Sequence, residues 1–336
     1  MRNTPAALSP AVSPALSPAL SPAFPPAFPP AFPPAVDPGR RRWLAGAVAA
    51  WAGLAGCGGG DATDQGGPPP GPAGLRSVER IATPWTEQDR PATLEQLVWR
   101  PAGNGPFPTL VFHHGSTGSG QDPGLFRLSF EALALAREFN ARGWMVLFPQ
   151  RRGRGQSDGQ YQEGLAADGS GYACTAAPAL AGWERALQDV DVITAALRAR
   201  ADIDASRLVV GGHSRGGALA LAHAASAAGT YRGVLNFVGG WLGERCVDAL
   251  PVSEAIVAQA ARATAPSLWL YGANDPFYSL EVTRGMFERF VGLGGQGRYQ
   301  SVRRSQPTAS GHLIHEEPAL WIDDVVRFLM LPALSA

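Results

Sequence analysis

From about residue 75 onward, apolar positions follow two rhythms that take turns along the chain. Residues 93–100 (TLEQLVWR) alternate polar and apolar side chains, the period of a strand with one covered face. Short apolar runs at 108–114 (PTLVFHH), 144–150 (WMVLFPQ), 207–212 (RLVVGG), 233–240 (GVLNFVGG) and 266–272 (PSLWLYG) have the length of buried strands. Residues 298–304 (RYQSVRR) make a last strand. Between these runs, apolar residues return every three or four places at 127–143, 179–200, 216–228, 253–263, 280–292 and 318–330, the spacing of helices with one buried face. Apolar strands alternating with helices predict an α/β fold, a mostly parallel central sheet with helices on both faces. We read residues 75–336 as one domain. Ligand sites of such sheets lie beyond the carboxyl ends of the strands, so chemistry is to be sought in the loops that follow them.

The chain before residue 75 has neither rhythm. In residues 1–38 proline returns every three or four places (SPALSPALSPAFPPAFPP), which forbids helix interiors and sheet ladders alike, so extended coil is expected. Residues 39–56 differ: Arg40, Arg41 and Arg42 precede a short apolar run from Trp43, too short to cross a bilayer, which takes about 20 residues. The run ends in Leu54-Ala55-Gly56-Cys57, which resembles the lipobox of bacterial lipoproteins. That resemblance implies cleavage before Cys57, lipidation of Cys57, and export to the periplasmic side of the cell envelope. Residues 57–74, rich in glycine and proline, read as a flexible tether. Cys174 and Cys246 would be the remaining thiols of an exported chain, and in an oxidising compartment they are a candidate disulfide.

Composition removes several classes of function. Basic and acidic residues balance at 28 each, with no basic block beyond residues 40–42, so no nucleic-acid partner is expected. Every cationic side chain is arginine; without lysine there is neither Schiff-base chemistry nor a phosphate-binding P-loop. The six histidines have no metal-ligand spacing, so neither a metal nor another cofactor is expected.

One short motif stands out. Gly212-His213-Ser214-Arg215-Gly216 is G-x-S-x-G, a weak signal alone in a chain with 41 glycines. Its position between a buried strand and a helix strengthens it, because there it forms a tight corner that exposes the serine hydroxyl above the sheet edge. Two later strand ends carry matching groups, Asp275 in LYGANDPF and His312 in TASGHLIHEE. The order serine, acid, histidine is the order this architecture requires. His315 is the competing histidine, placed beside Glu316 and Glu317 where it would simply be solvated.

With VFHHGSTGSG (111–120) and FPQRRGRGQSDG (148–159), these stretches make the chain resemble the α/β-hydrolase family, in particular its dienelactone-hydrolase-like and prolyl-oligopeptidase-like branches, over residues 90–331. The resemblance implies Ser214 as nucleophile, His312 as general base and acid, and Asp275 as the group orienting it. It also implies the backbone N–H groups of Ser116 and Arg215 as an oxyanion hole. Dienelactone hydrolase has a cysteine where this chain has Ser214, which favours ester or amide substrates over lactones. The expected activity is hydrolysis of carboxylic esters; a peptidase of the same fold and a non-catalytic envelope lipoprotein are the alternatives. Trp241 is a candidate pocket residue. His113, His114, Arg151, Arg152 and Arg154 are expected to order loops, and a Cys174–Cys246 bridge would pin two loops over the site.

Overall fold

The computed structural model describes residues 75–331. Residues 1–38, 39–56 and 57–74, Cys57 among them, lie outside the described residues. Eight strands, β1 (Leu75–Glu87), β2 (Arg90–Arg100), β3 (Phe107–His113), β4 (Met145–Pro149), β5 (Ile203–His213), β6 (Gly233–Phe237), β7 (Ser267–Gly272) and β8 (Gly297–Val302), form one sheet in the order β1-β2-β4-β3-β5-β6-β7-β8. β1–β2 and β2–β4 pair antiparallel; every pairing from β4 to β8 is parallel. Strands β3 to β7 are buried along their apolar runs because helices cover both faces.

The helices are α1 (Pro123–Phe126), α2 (Leu133–Ala141), α3 (Ala176–Arg198), α4 (Arg215–Ser226), α5 (Ala249–Ala260), α6 (Leu280–Gly292) and α7 (Ile322–Leu329). α3, α4 and α5 pack on one another through Ala179, Trp183, Ala218, Ala222, Val252 and Ile256. α2 packs against β4 and the turns at 311–320. Trp321 is driven into the core against Phe237, its ring N–H satisfied by Ile314 O at 2.9 Å.

Two sequence expectations need correction. The helix expected over 127–143 begins only at Leu133. The backbone of Phe130 is instead held on both sides by the Gln150 side chain (2.8 and 2.9 Å), and Ser129 bonds Glu95 at 2.6 Å. The side chain of Gln150, just past β4, thus takes the backbone hydrogen bonds at Phe130 that a helix would otherwise satisfy. The strand β1 had no expectation: it is an edge strand, mostly exposed, with little apolar alternation for a pattern to register. Residues 318–330 also divide, a 3-10 turn at Pro318–Leu320 preceding α7.

The topology decides where chemistry can happen. β3, β5, β6, β7 and β8 are neighbours or near neighbours in the sheet and run parallel, so the loops leaving their carboxyl ends crowd one rim.

Candidate active site

β5 ends at His213 and α4 starts at Arg215, leaving Ser214 alone to turn the chain. Its φ of 55° and ψ of −121° are a left-handed conformation that L-residues seldom adopt, and it stores about 1–3 kcal/mol. Backbone approach explains the flanking glycines: a Cβ on Gly212 would lie 2.3 Å from the carbonyl carbon of Gly216, and one on Gly216 would lie 2.1 Å from His113 O. Ser214 is buried, and its carbonyl accepts from Gly217 and Ala218, which begin the α4 ladder.

The loop after β3 touches this corner: a Cβ on Gly115 would lie 3.0 Å from Ser214 Cβ. The N–H groups of Ser116 and Arg215 donate to no acceptor among the described residues. The second of these belongs to the first turn of α4, where unpaired N–H groups favour negative charge. The arrangement leaves two unpaired N–H groups on residues that border the same cleft as Ser214.

His312 enters in a 3-10 turn, Gly311–Glu316, after β8, and Asp275 in the loop after β7. Nδ1 of His312 donates to Asp275 Oδ2 at 2.8 Å. The other carboxylate oxygen accepts from the backbone N–H of Phe277 at 2.8 Å and of Tyr278 at 3.2 Å. The Asp275 side chain is wholly covered. A carboxylate held this way fixes the imidazole with its proton on Nδ1, leaving Nε2 as the basic nitrogen. His213 closes the group, its Nε2 2.8 Å from His312 O and the two rings 4.8 Å apart.

Ser214, His312, Ser116, Arg215 and Trp241 border one cleft of about 280 Å³, whose far wall carries Cys174 and Cys246. The two cysteines are joined as a disulfide, with Cα atoms 4.7 Å apart. No hydrogen bond joins Ser214 to His312 among the described residues; Tyr278 borders the same cleft beside both. Contacts between a nucleophile and its base commonly shorten only when substrate is bound.

His315 is not solvated as its acidic neighbours implied. It is buried against His213, with ring centroids 4.3 Å apart, and against Phe130. Burial, helped by the neighbouring His312, pushes its imidazole down to about 3. The turn Gly311–Glu316 carries the ring inward, which the Glu-Glu pair beside it did not indicate. His114 lies under the Ser116 loop, its Nδ1 2.8 Å from Gly115 O, and burial pushes it well below the usual imidazole range. Arg151 bonds the carboxylate of Glu163 and the carbonyl of His114, and Arg154 bonds Thr117 and Leu125 O, so these two tie loops together, while Arg152 bonds Asp189 and fastens its loop to α3.

Tyr278 escaped the sequence reading although it lies only three residues after Asp275. Its ring centroid is 5.9 Å from that of His312, and burial raises its phenol far above the usual range, so it remains a hydrogen-bond donor. Its aromatic type in a strand-end loop was the available signal, but packing against Ser214 could not be read from spacing.

Comparison with curated proteins returns no match. Among solved structures, the chain is similar to the ferulic-acid-bound Est1E of Butyrivibrio proteoclasticus (14% identity, TM-score 0.53, covering 77% of this chain and 100% of that one). It is similar to an esterase of Pyrococcus furiosus (14% identity, TM-score 0.53, 76% and 90%). It also resembles the acylaminoacyl peptidase of Pyrococcus horikoshii (14% identity, TM-score 0.52, 77% of this chain), of which it spans 41%. These likenesses are of fold. A family model described as the alpha/beta hydrolase family matches residues 110–334, the stretch that carries every site residue from Ser116 to His312, and the chain belongs to that family.

Proposed function

We propose that this hydrolase cleaves carboxylic esters through an acyl-enzyme on Ser214. His312 takes the serine proton through Nε2 as Ser214 Oγ attacks the carbonyl carbon, then returns it to the leaving alcohol. Water repeats the sequence on the acyl-enzyme. Asp275 holds the imidazole and stabilises the imidazolium, and the N–H groups of Ser116 and Arg215 receive the oxyanion. The observation that carries this reading is the 2.8 Å His312–Asp275 hydrogen bond in the same cleft as a strained serine.

Ester rather than amide substrates are favoured because the chain covers the two esterases along 90% and 100% of their length and the peptidase along 41% of its own. A fluorophosphonate probe, which reacts only with an activated serine, tests the chemistry: labelling is expected in the wild type and absent in Ser214→Ala. An unlabelled wild type would make the chain a binding protein on a hydrolase fold. Turnover of 4-nitrophenyl esters against aminoacyl 4-nitroanilides separates esterase from peptidase.

We further propose that the domain is exported and held on the cell envelope by lipid on Cys57, following the residue 40–57 pattern. Cys57→Ser is expected to move the protein from the membrane fraction to the soluble one. An unchanged distribution would contradict the anchor.

A further inference from the structure

The side chain of Arg215 has work that the oxyanion role of its backbone N–H does not use. It is buried, 4% exposed, and borders the same cleft as Ser214 and His312. Its guanidinium lies between two rings, 4.0 Å from the centroid of Tyr172 and 4.5 Å from that of Trp241. Nε donates to Trp241 O at 3.1 Å and Nη1 to Glu163 O. Nη2 has no acceptor, and no carboxylate pairs with this arginine, among the described residues.

Nearby charge does not neutralise it. The buried carboxylate of Glu163 is taken by Arg151, and Arg154, also buried, has no carboxylate partner among the described residues. On the cleft itself, Arg215 and Arg245 stand against Glu244, whose carboxylate accepts from Ser279 N–H at 2.7 Å. Arg245 is exposed and donates to Pro276 O. A buried cation is normally paired. Here two carbonyls and two aromatic faces hold the guanidinium in place and leave one edge of its planar fork without a partner.

We propose that the Arg215 guanidinium binds a carboxylate of the substrate, so that the preferred substrates are esters bearing a second, ionised carboxyl group. This inference rests on the esterase reading above and narrows its substrate class. The fork geometry suits a carboxylate, and Nη2 is the nitrogen of this cleft-lining guanidinium that has no acceptor among the described residues. The rigid placement means little ordering is left to do when the anion arrives.

The experiment compares kcat/KM for mono-4-nitrophenyl adipate and 4-nitrophenyl hexanoate, which differ by a terminal carboxylate in place of a methyl group. A second arm, the hexanoyl ester of 4-hydroxybenzoate against that of phenol, puts the charge on the alcohol side. One arm is expected to favour the anion by about tenfold or more, the effect of one charge-assisted hydrogen bond. Arg215→Met is expected to lower turnover of both members of that pair and to bring their ratio near one, with Arg215→Lys recovering part of the preference. Because the wild-type ratio is read first, the inference stands or falls even where an Arg215 variant does not fold. Fluorophosphonate labelling of the same preparation separates the two failures. A labelled protein with equal rates in both arms overturns the carboxylate site and leaves the esterase reading in place. An unlabelled protein overturns both. Equal losses for charged and neutral substrates in Arg215→Met would assign the guanidinium to the transition-state oxyanion instead and overturn the inference.

Discussion

Ser214 combines a φ of 55° with a hydroxyl-bearing side chain at a helix start on the rim of the cleft, a strain that a purely structural residue would not carry. Alanine has the same backbone restrictions as serine there, so Ser214→Ala leaves the strain and the packing unchanged. Turnover is expected to fall by roughly 10⁶-fold with an unaltered unfolding midpoint; near-wild-type rates would remove Ser214 from the chemistry. The two histidines of the last loop separate in the same way. His312 is tied to Asp275 at 2.8 Å, whereas His315 is buried against His213 and Phe130. His312→Ala should abolish turnover with little loss of stability. His315→Ala should keep turnover while costing about 1–3 kcal/mol in a urea melt, because it empties a packed site. The reverse pattern would exchange their roles. Residue types and order made Ser214, Asp275 and His312 candidates. The inward turn of His315, the Tyr278 hydroxyl beside the serine and the missing counter-ion of Arg215 could not be read that way, since each depends on what a neighbouring loop places alongside.

Strand and helix periods were read well wherever burial is strong. Between 203 and 292 each expected element appears within a few residues of its place, because a face pressed against a core leaves its period in the chain. Where a side chain from another segment supplies the hydrogen bonds, the pattern misleads, as at Arg127–Ala132, whose apolar residues have helical spacing but whose backbone at Phe130 is bonded to Gln150. The exposed edge strand β1 left no period at all. Among the connections, the disulfide joins the long segment before α3 to the loop after β6 and forms one wall of the cleft. With the bridged cysteines separated by 72 residues, chain-entropy reasoning gives the link about 4 kcal/mol. Cys174→Ser with Cys246→Ser should therefore lower the melting temperature and raise KM more than it lowers kcat, since the bridge touches the wall and not the reacting groups. A double variant as stable as the wild type would show that the link contributes nothing.

Acid should weaken this fold sharply. Burial pushes His113, His114 and His213 well below the usual imidazole range, His223 down to about 4 and His315 down to about 3. Unfolded, each imidazole takes up a proton below about pH 6.5. Folded, each resists until lower pH, so this stability is whole above pH 6.5 and is lost progressively as pH falls. Each adds up to about 1.4 kcal/mol per pH unit to the slope. Asp189 opposes them: burial raises it to about 6, so the folded state gains a proton between there and the usual aspartate range. Asp191, which burial also raises, opposes them too, and two opposing groups against five leave a net loss. Urea midpoints measured at pH 7.5, 6.5 and 5.5 should fall steeply over the last step, and a midpoint independent of pH would contradict the burial of these rings.

The chain's own pattern was enough for the fold class, the order of elements and the three groups proposed for catalysis, because these follow from periodicity and from residue types at strand ends, which are local properties. Distances were beyond it. Asp275 and His312 meet at 2.8 Å, Cys174 meets Cys246, and Arg215 is buried between two rings only because parallel strands from distant parts of the chain deliver their loops to one rim. The packing of those loops selects which side chains are covered, which are paired and which keep an open edge, and no spacing along a single chain encodes that choice.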